Sequence, residues 1–198
     1  MSTMCSKKRE IVLEEFEKKD VLKLKNWGVH EDLRYIQYGF DLFYDDGNFD
    51  TWYEIKTAPR KKLFAIKEGS EIRGYISLRD ISSILRSAVL GISIDPNYLS
   101  EGIGKCAMEQ FLELYFTEMQ MRTLHLKVSL FNRRAIRLYE SLGFVFKKTR
   151  LERFENQMHN FKLLLHYEEF LQFGDAIYTE VSSYAMNRED YERSGKQA

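Results

Sequence analysis

The sequence predicts a mixed α/β (α+β) domain built on a mostly antiparallel sheet flanked by helices. Three observations carry that expectation. Three strand-like runs follow one another in the middle of the chain, amphipathic helical segments lie on either side of them, and no strict strand–helix alternation is present.

In order, residues 9–16 (REIVLEEF) read as a first strand, and KKDVLKLKNW as a first helix ending near Trp27 and Gly28. DDGN at 45–48 is a turn signal, and a second helix over 49–57 stops before Pro59. The three central strands are Lys62–Lys67, Glu71–Leu78 and Ala88–Ile94, with KEGS at 67–70 as a hairpin turn. A helix from Ile103 to Met119 carries Ala107, Phe111, Leu114 and Tyr115 near a 3.6-residue period. Residues 123–129 alternate as a strand, Asn132–Leu142 is an amphipathic helix, and Gly143 caps it. Strand character resumes over Phe144–Phe154. Residues 157–173 favour a helix within an insertion at 155–174, and Ala176–Met186 favours a last strand. The charged residues 188–198 read as a frayed tail.

Bulk properties exclude several function classes. The chain has 198 residues, 44% of them hydrophobic, and 30 basic residues balance 30 acidic ones, so no overall basic field exists to attract nucleic acid. No run approaches the ~18 apolar residues of a membrane span, and the polar N terminus lacks a signal-peptide core. Cys5 and Cys106 are far apart and in no metal-ligand pattern. Those features predict one cytoplasmic domain over 1–198, with no metal and no nucleic-acid or membrane partner.

Residues 95–107 (DPNYLSEGIGKCA) place Gly102 and Gly104 where a helix begins, although glycine costs roughly 1 kcal/mol against alanine inside a helix. A helix start offers unpartnered amides and the positive end of the helix dipole, and bare glycines let a phosphate approach them. Lys105 would add a full charge. A P-loop would need glycine where Leu99 stands, and the dinucleotide fingerprint lacks its second strand–helix–strand unit. Close packing of a tight turn fits the glycines equally well. Downstream, NRRAIRLYESLGFVF (132–146) puts Asn132 and Tyr139 two helical turns apart, hence on one face. Each also has an ordinary reading, Asn132 as an N-cap and Tyr139 as a core-edge tyrosine.

Together, LGISIDPNYLSEGIGKCAMEQFL and LKVSLFNRRAIRLYESLGF resemble the core of the GNAT N-acetyltransferase family, with a flanking pattern similar to the ribosomal-protein N-terminal and spermidine acetyltransferase branch. The resemblance implies a sheet of about seven strands that splays into a V between its central strands. It also implies acetyl-CoA as cosubstrate. Ile92, Ser93 and Ile94 would face the pantetheine arm, and the turn Ser100, Glu101, Gly102, Ile103, Gly104 and Lys105 would wrap the pyrophosphate. Asn132 would touch the pantetheine arm, and Tyr139 would protonate the departing thiolate, a task that suits a phenol. Transfer would be by direct attack of a primary amine, so Cys106 is not needed as a nucleophile.

Two positions depart from the family pattern. Leu99 replaces a usual Gln or Arg, and Lys127 replaces a catalytic Glu of some members. Glu54, Asp80 and His125 are the conceivable bases. The acceptor amine is a small molecule or a protein N terminus; DLFYDDGNFD (41–50) reads first as a solvated turn, and otherwise as a source of acidic groups for a polyamine. An acetyl-CoA-binding sensor or interaction module without catalysis is the alternative, and the final strands could pair across a homodimer.

Overall fold

The computed structural model describes residues 2–5, 9–38, 40 and 49–194. The acidic stretch at 41–48 lies outside them. Nine strands form one sheet: β1 (Ser2–Cys5), β2 (Arg9–Glu15), β3 (Lys62–Glu68), β4 (Glu71–Ser82), β5 (Ser87–Ile94), β6 (Thr123–Ser129), β7 (Val145–Arg153), β8 (Phe170–Phe173) and β9 (Ala176–Asn187). Their order is β1-β2-β3-β4-β5-β6-β9-β7, with β8 also paired to β9. Only β5 with β6 is parallel, so the sheet is mostly antiparallel as its sequence predicts.

The helices are α1 (Phe49–Thr57), α2 (Ile103–Glu113), α3 (Arg133–Ser141), α4 (Asn160–His166) and α5 (Arg188–Ser194). Residues Lys18–Asn26 and Leu33–Tyr38 are 3₁₀ helices, and α2 runs into a π-helical turn over Leu114–Glu118.

Alternation along the strands sorts side chains to two cores. On one face Ile66, Ile76, Leu90, Leu126 and Met186 meet Phe111 and Tyr115 of α2 and its extension and Ile136 of α3. On the other, Leu63, Ala65, Ile72 and Tyr75 meet the aromatic side chains Phe16, Trp27, Phe40 and Trp52 under the first 3₁₀ helix and α1. A third cluster, Phe131, Phe154, Leu163, Phe170 and Ile177, lies under α4 and β8.

Three expectations are corrected. The sheet has strands β1 and β8 beyond those read from the sequence. The helix expected over 157–173 stops at His166, because Phe170 is buried against Phe154 and Ile177 and a tight turn at Gly174 (φ +62°) folds Phe173 back on Ala176. The tail begins as a helix rather than fraying at residue 188. Asn187 and Asp190 cap each other reciprocally at 2.9 and 3.2 Å, and Tyr191 stacks on Phe116.

One irregularity positions everything that follows. β5 pairs with β6 only from Ser87–Thr123 to Leu90–Leu126, while its antiparallel pairing to β4 continues through Ile94. Beyond Leu90 the two central strands part, leaving backbone of Gly91–Ile94 without a ladder partner on the β6 side. This is the splayed V.

Candidate active site

A cleft of about 520 Å³ opens at the split. Its walls bring together Ile92, Ser93 and Ile94 of β5, Ser100, Gly102, Ile103, Gly104 and Lys105 of the turn into α2, and Asn132 and Tyr139 of α3. Glu101, expected in the same set, does not line it.

The turn is shaped for approach by a ligand. Asp95 is buried and accepts from the amides of Asn97 (3.0 Å) and Gly28 (2.9 Å), which pins the chain as it leaves β5. Ser100 (φ +63°) and Gly102 (φ +86°) then reverse the backbone in the left-handed region, and α2 begins with no side-chain cap. The first-turn amides of a helix have no partner within it, and here those of Ile103, Gly104 and Lys105 belong to residues at the cleft wall. A Cβ on Gly104 would meet Ile94 and Leu138 at 3.7 Å, an ordinary contact. Packing of the protein itself therefore does not demand glycine there. A group lying on the backbone would. With Lys105 and Arg134 at the same wall, the donor set fits the pyrophosphate of a coenzyme A thioester.

Asn132 has the N-cap role: its Oδ1 accepts from the Ala135 amide at 3.2 Å. Its side chain, with those of Ser129 and Gln37, lies beside the Tyr38 phenol. Burial pushes that phenol up, with the nearby Glu155 charge adding to it and those three polar neighbours opposing it. Tyr139 is buried at the cleft wall, and burial first, then the neighbouring Tyr38, hold its phenol well above the usual value. It stays protonated over the whole physiological range, as a proton donor requires.

The departures from pattern are accommodated. Leu99 lines the cleft. Lys127 donates to both carboxylate oxygens of Glu152 at 2.7 and 2.8 Å. Glu54, Asp80 and His125, conceivable as bases, are absent from the cleft wall. Asp80 faces Arg79 at 3.4 Å, and the His125 imidazole is held down by burial and by Lys147. In their place the wall carries His30, Tyr38, Lys56, Tyr75 and Glu155, none of them singled out by motif. The segment 29–38 gave only mixed signals in the sequence, so its contribution is created by the 3₁₀ turns that lay it over the split. Cys106 is buried in α2 and packs in the core.

The model of the acetyltransferase (GNAT) family matches residues 15–144. The chain belongs to the GNAT family. Among relatives of this GNAT chain, spermidine N(1)-acetyltransferase of Vibrio cholerae serotype O1 is 28% identical over 95 residues, covering 48% of the chain and 55% of the relative. The Escherichia coli (strain K12) spermidine N(1)-acetyltransferase is 30% identical over 84 residues, covering 42% and 45%. The chain thus spans about half the length of the curated relatives it matches. A solved chimera of spermidine N-acetyltransferase SpeG from Vibrio cholerae and hSSAT superposes with a TM-score of 0.68 at 20% identity, over 92% of this chain and 98% of that one. SpeG from the same organism, solved with manganese ions, gives 0.66 at 20% identity over 92% and 95%. These likenesses show that the fold is shared along nearly the whole chain. The relatives are enzymes by name, which lends no support to the alternative of a non-catalytic module. Among the described residues no cluster of three or more His, Cys, Asp or Glu could hold a metal, and no helix is long and apolar enough to cross a membrane.

Proposed function

We propose that the protein transfers the acetyl group of acetyl-CoA to a primary amine by direct attack. The observation that carries this reading is the convergence, in one cleft at the strand split, of the bare first turn of α2 and the buried Tyr139. When bound, acetyl-CoA supplies a thioester carbonyl for the amine and a thiolate that departs. The amides of Ile103, Gly104 and Lys105 receive the pyrophosphate, and unpaired backbone of Gly91–Ile94 aligns the pantetheine arm as an added strand would. Tyr139 donates its proton to the departing sulfur. Tyr38, with Ser129, Gln37 and Asn132 around its phenol, sits beside Tyr139 and fixes the wall on which the amine arrives. Glu155 is the carboxylate of that wall among the described residues and accepts the proton the ammonium must lose, through water.

Incubation with acetyl-CoA and a set of primary amines, following free thiol, tests the reading. Acetylated amine and a thermal shift with acetyl-CoA are expected. No shift and no thiol would end it.

A further inference from the structure

Among the described residues, the acceptor side of the cleft carries fewer acidic groups than a polyamine would require. The wall there is aromatic. Trp27 stacks on Tyr75 at 5.8 Å and 13°, its indole N–H donates to the Ile72 carbonyl at 2.9 Å, and Trp52 meets the same Tyr75 edge-on at 5.4 Å. Lys56, in the last turn of α1, lies over this platform with its ammonium 5.5 Å from the Tyr75 ring and 5.7 Å from Trp52. A cation against ring faces is held without being neutralised. Along β4 the strand period turns Tyr75, Ser77 and Arg79 to the same wall.

The other cations of that side have carboxylate partners. Lys127 is taken up by Glu152, and Arg79 faces Asp80. Among the described residues Lys56 makes no ion pair, and Glu155 is the one carboxylate lining the cleft. Among the described residues, one negative group and one positive group without a carboxylate partner thus share the acceptor wall.

We propose that the acceptor is an amine carrying its own carboxylate, and that Lys56 is the residue that reads that carboxylate while the amine end lies toward Glu155. This rests on the acetyl-transfer reading above and deepens it. A polycation would leave the half-buried Lys56 facing a like charge. An anionic tail gives it a charge-assisted partner on a platform already in place.

The test uses amines of one skeleton with three different ends. Propylamine, β-alanine and trimethylenediamine form one set, and hexylamine, ε-aminocaproate and hexamethylenediamine the other, each assayed with acetyl-CoA and the full chain. In at least one set the carboxylate member is expected to have the highest kcat/KM, by about tenfold over the neutral amine, with the diamine lowest. Lys56→Glu is expected to invert the order through KM with kcat little changed. Lys56→Met, which keeps the packing on Trp52 and Tyr75, abolishes the preference, and Lys56→Arg retains it. Preference for the diamines, equal rates across each set, or an order unchanged in Lys56→Met overturns the inference while leaving acetyl transfer standing. Bound acetyl-CoA with no member turned over also overturns it. Failure to bind acetyl-CoA overturns both readings.

Discussion

The two walls of the cleft are built by different means. The wall proposed for the cofactor is mainly backbone: the unpaired edge of β5, the left-handed turn at Ser100 and Gly102, and the opening amides of α2, all within residues 91–105. The acceptor wall is side chains drawn from distant segments, with Lys56 and Tyr75 beside His30, Tyr38 and Glu155. A backbone device needs glycines at fixed spacing and is local in the chain. A side-chain device can be assembled from any elements the fold brings together, and it tolerates exchange of its members. The difference teaches where variation among relatives should fall: on the second wall, where acceptors are told apart.

Substitutions that separate the walls sharpen this contrast. Tyr139 stands where they meet, so Tyr139→Phe should reduce kcat by about a hundredfold or more, with thermal stability nearly unchanged. Steady-state kinetics against the best acceptor decides it, and equal rates would remove Tyr139 from the proton-transfer role. Gly104→Ala should divide function from stability. Its Cβ finds ordinary contacts at 3.7 Å, so melting is expected to be neutral or improved by up to about 1 kcal/mol. Acetyl-CoA affinity, measured by calorimetry, should weaken by about tenfold. If affinity holds, the glycine serves packing alone.

Tyr38→Phe removes the hydroxyl beside Ser129, Gln37 and Asn132. A loss of about 1 kcal/mol, near fivefold, is expected in kcat/KM for the acceptor, with acetyl-CoA affinity retained. Equal weakening of both would merge the two walls into one unit. The smallest effect concerns pH. A phenol raised above its ordinary value stays protonated and able to donate to at least about pH 10, so Tyr139 should contribute no fall in rate below that. The rate should instead climb as the acceptor amine loses its proton. A basic limb below about pH 9 that disappears in Tyr139→Phe would contradict the burial argument.

Much of the fold was legible because it rests on short-range patterns. The hairpin runs of β3, β4 and β5, the paired glycines before α2 and the Asn132–Tyr139 spacing on α3 appear where periodicity and motif put them. The misread region, 157–173, failed for a tertiary reason. FLQF joins β9 because Phe170 completes an aromatic cluster with Phe131 and Phe154, contacts invisible to local helix propensity. Arg188 likewise turns the supposed tail into a helix by donating to the Phe116 and Met121 carbonyls at 2.7 and 3.0 Å.

The sequence by itself determined the half of the cleft proposed to hold the cofactor, because a helix start, its glycines and a tyrosine two turns along a helix are each encoded within a few neighbouring residues. Only the tertiary structure decided the acceptor half. The strand split is a relation between β5 and β6, and the charge of the wall depends on which of the described carboxylates reach Lys127 and Arg79 and which do not reach Lys56. Pairing across long chain separations leaves no local signature, so the chemistry of the acceptor became readable only once the sheet was assembled.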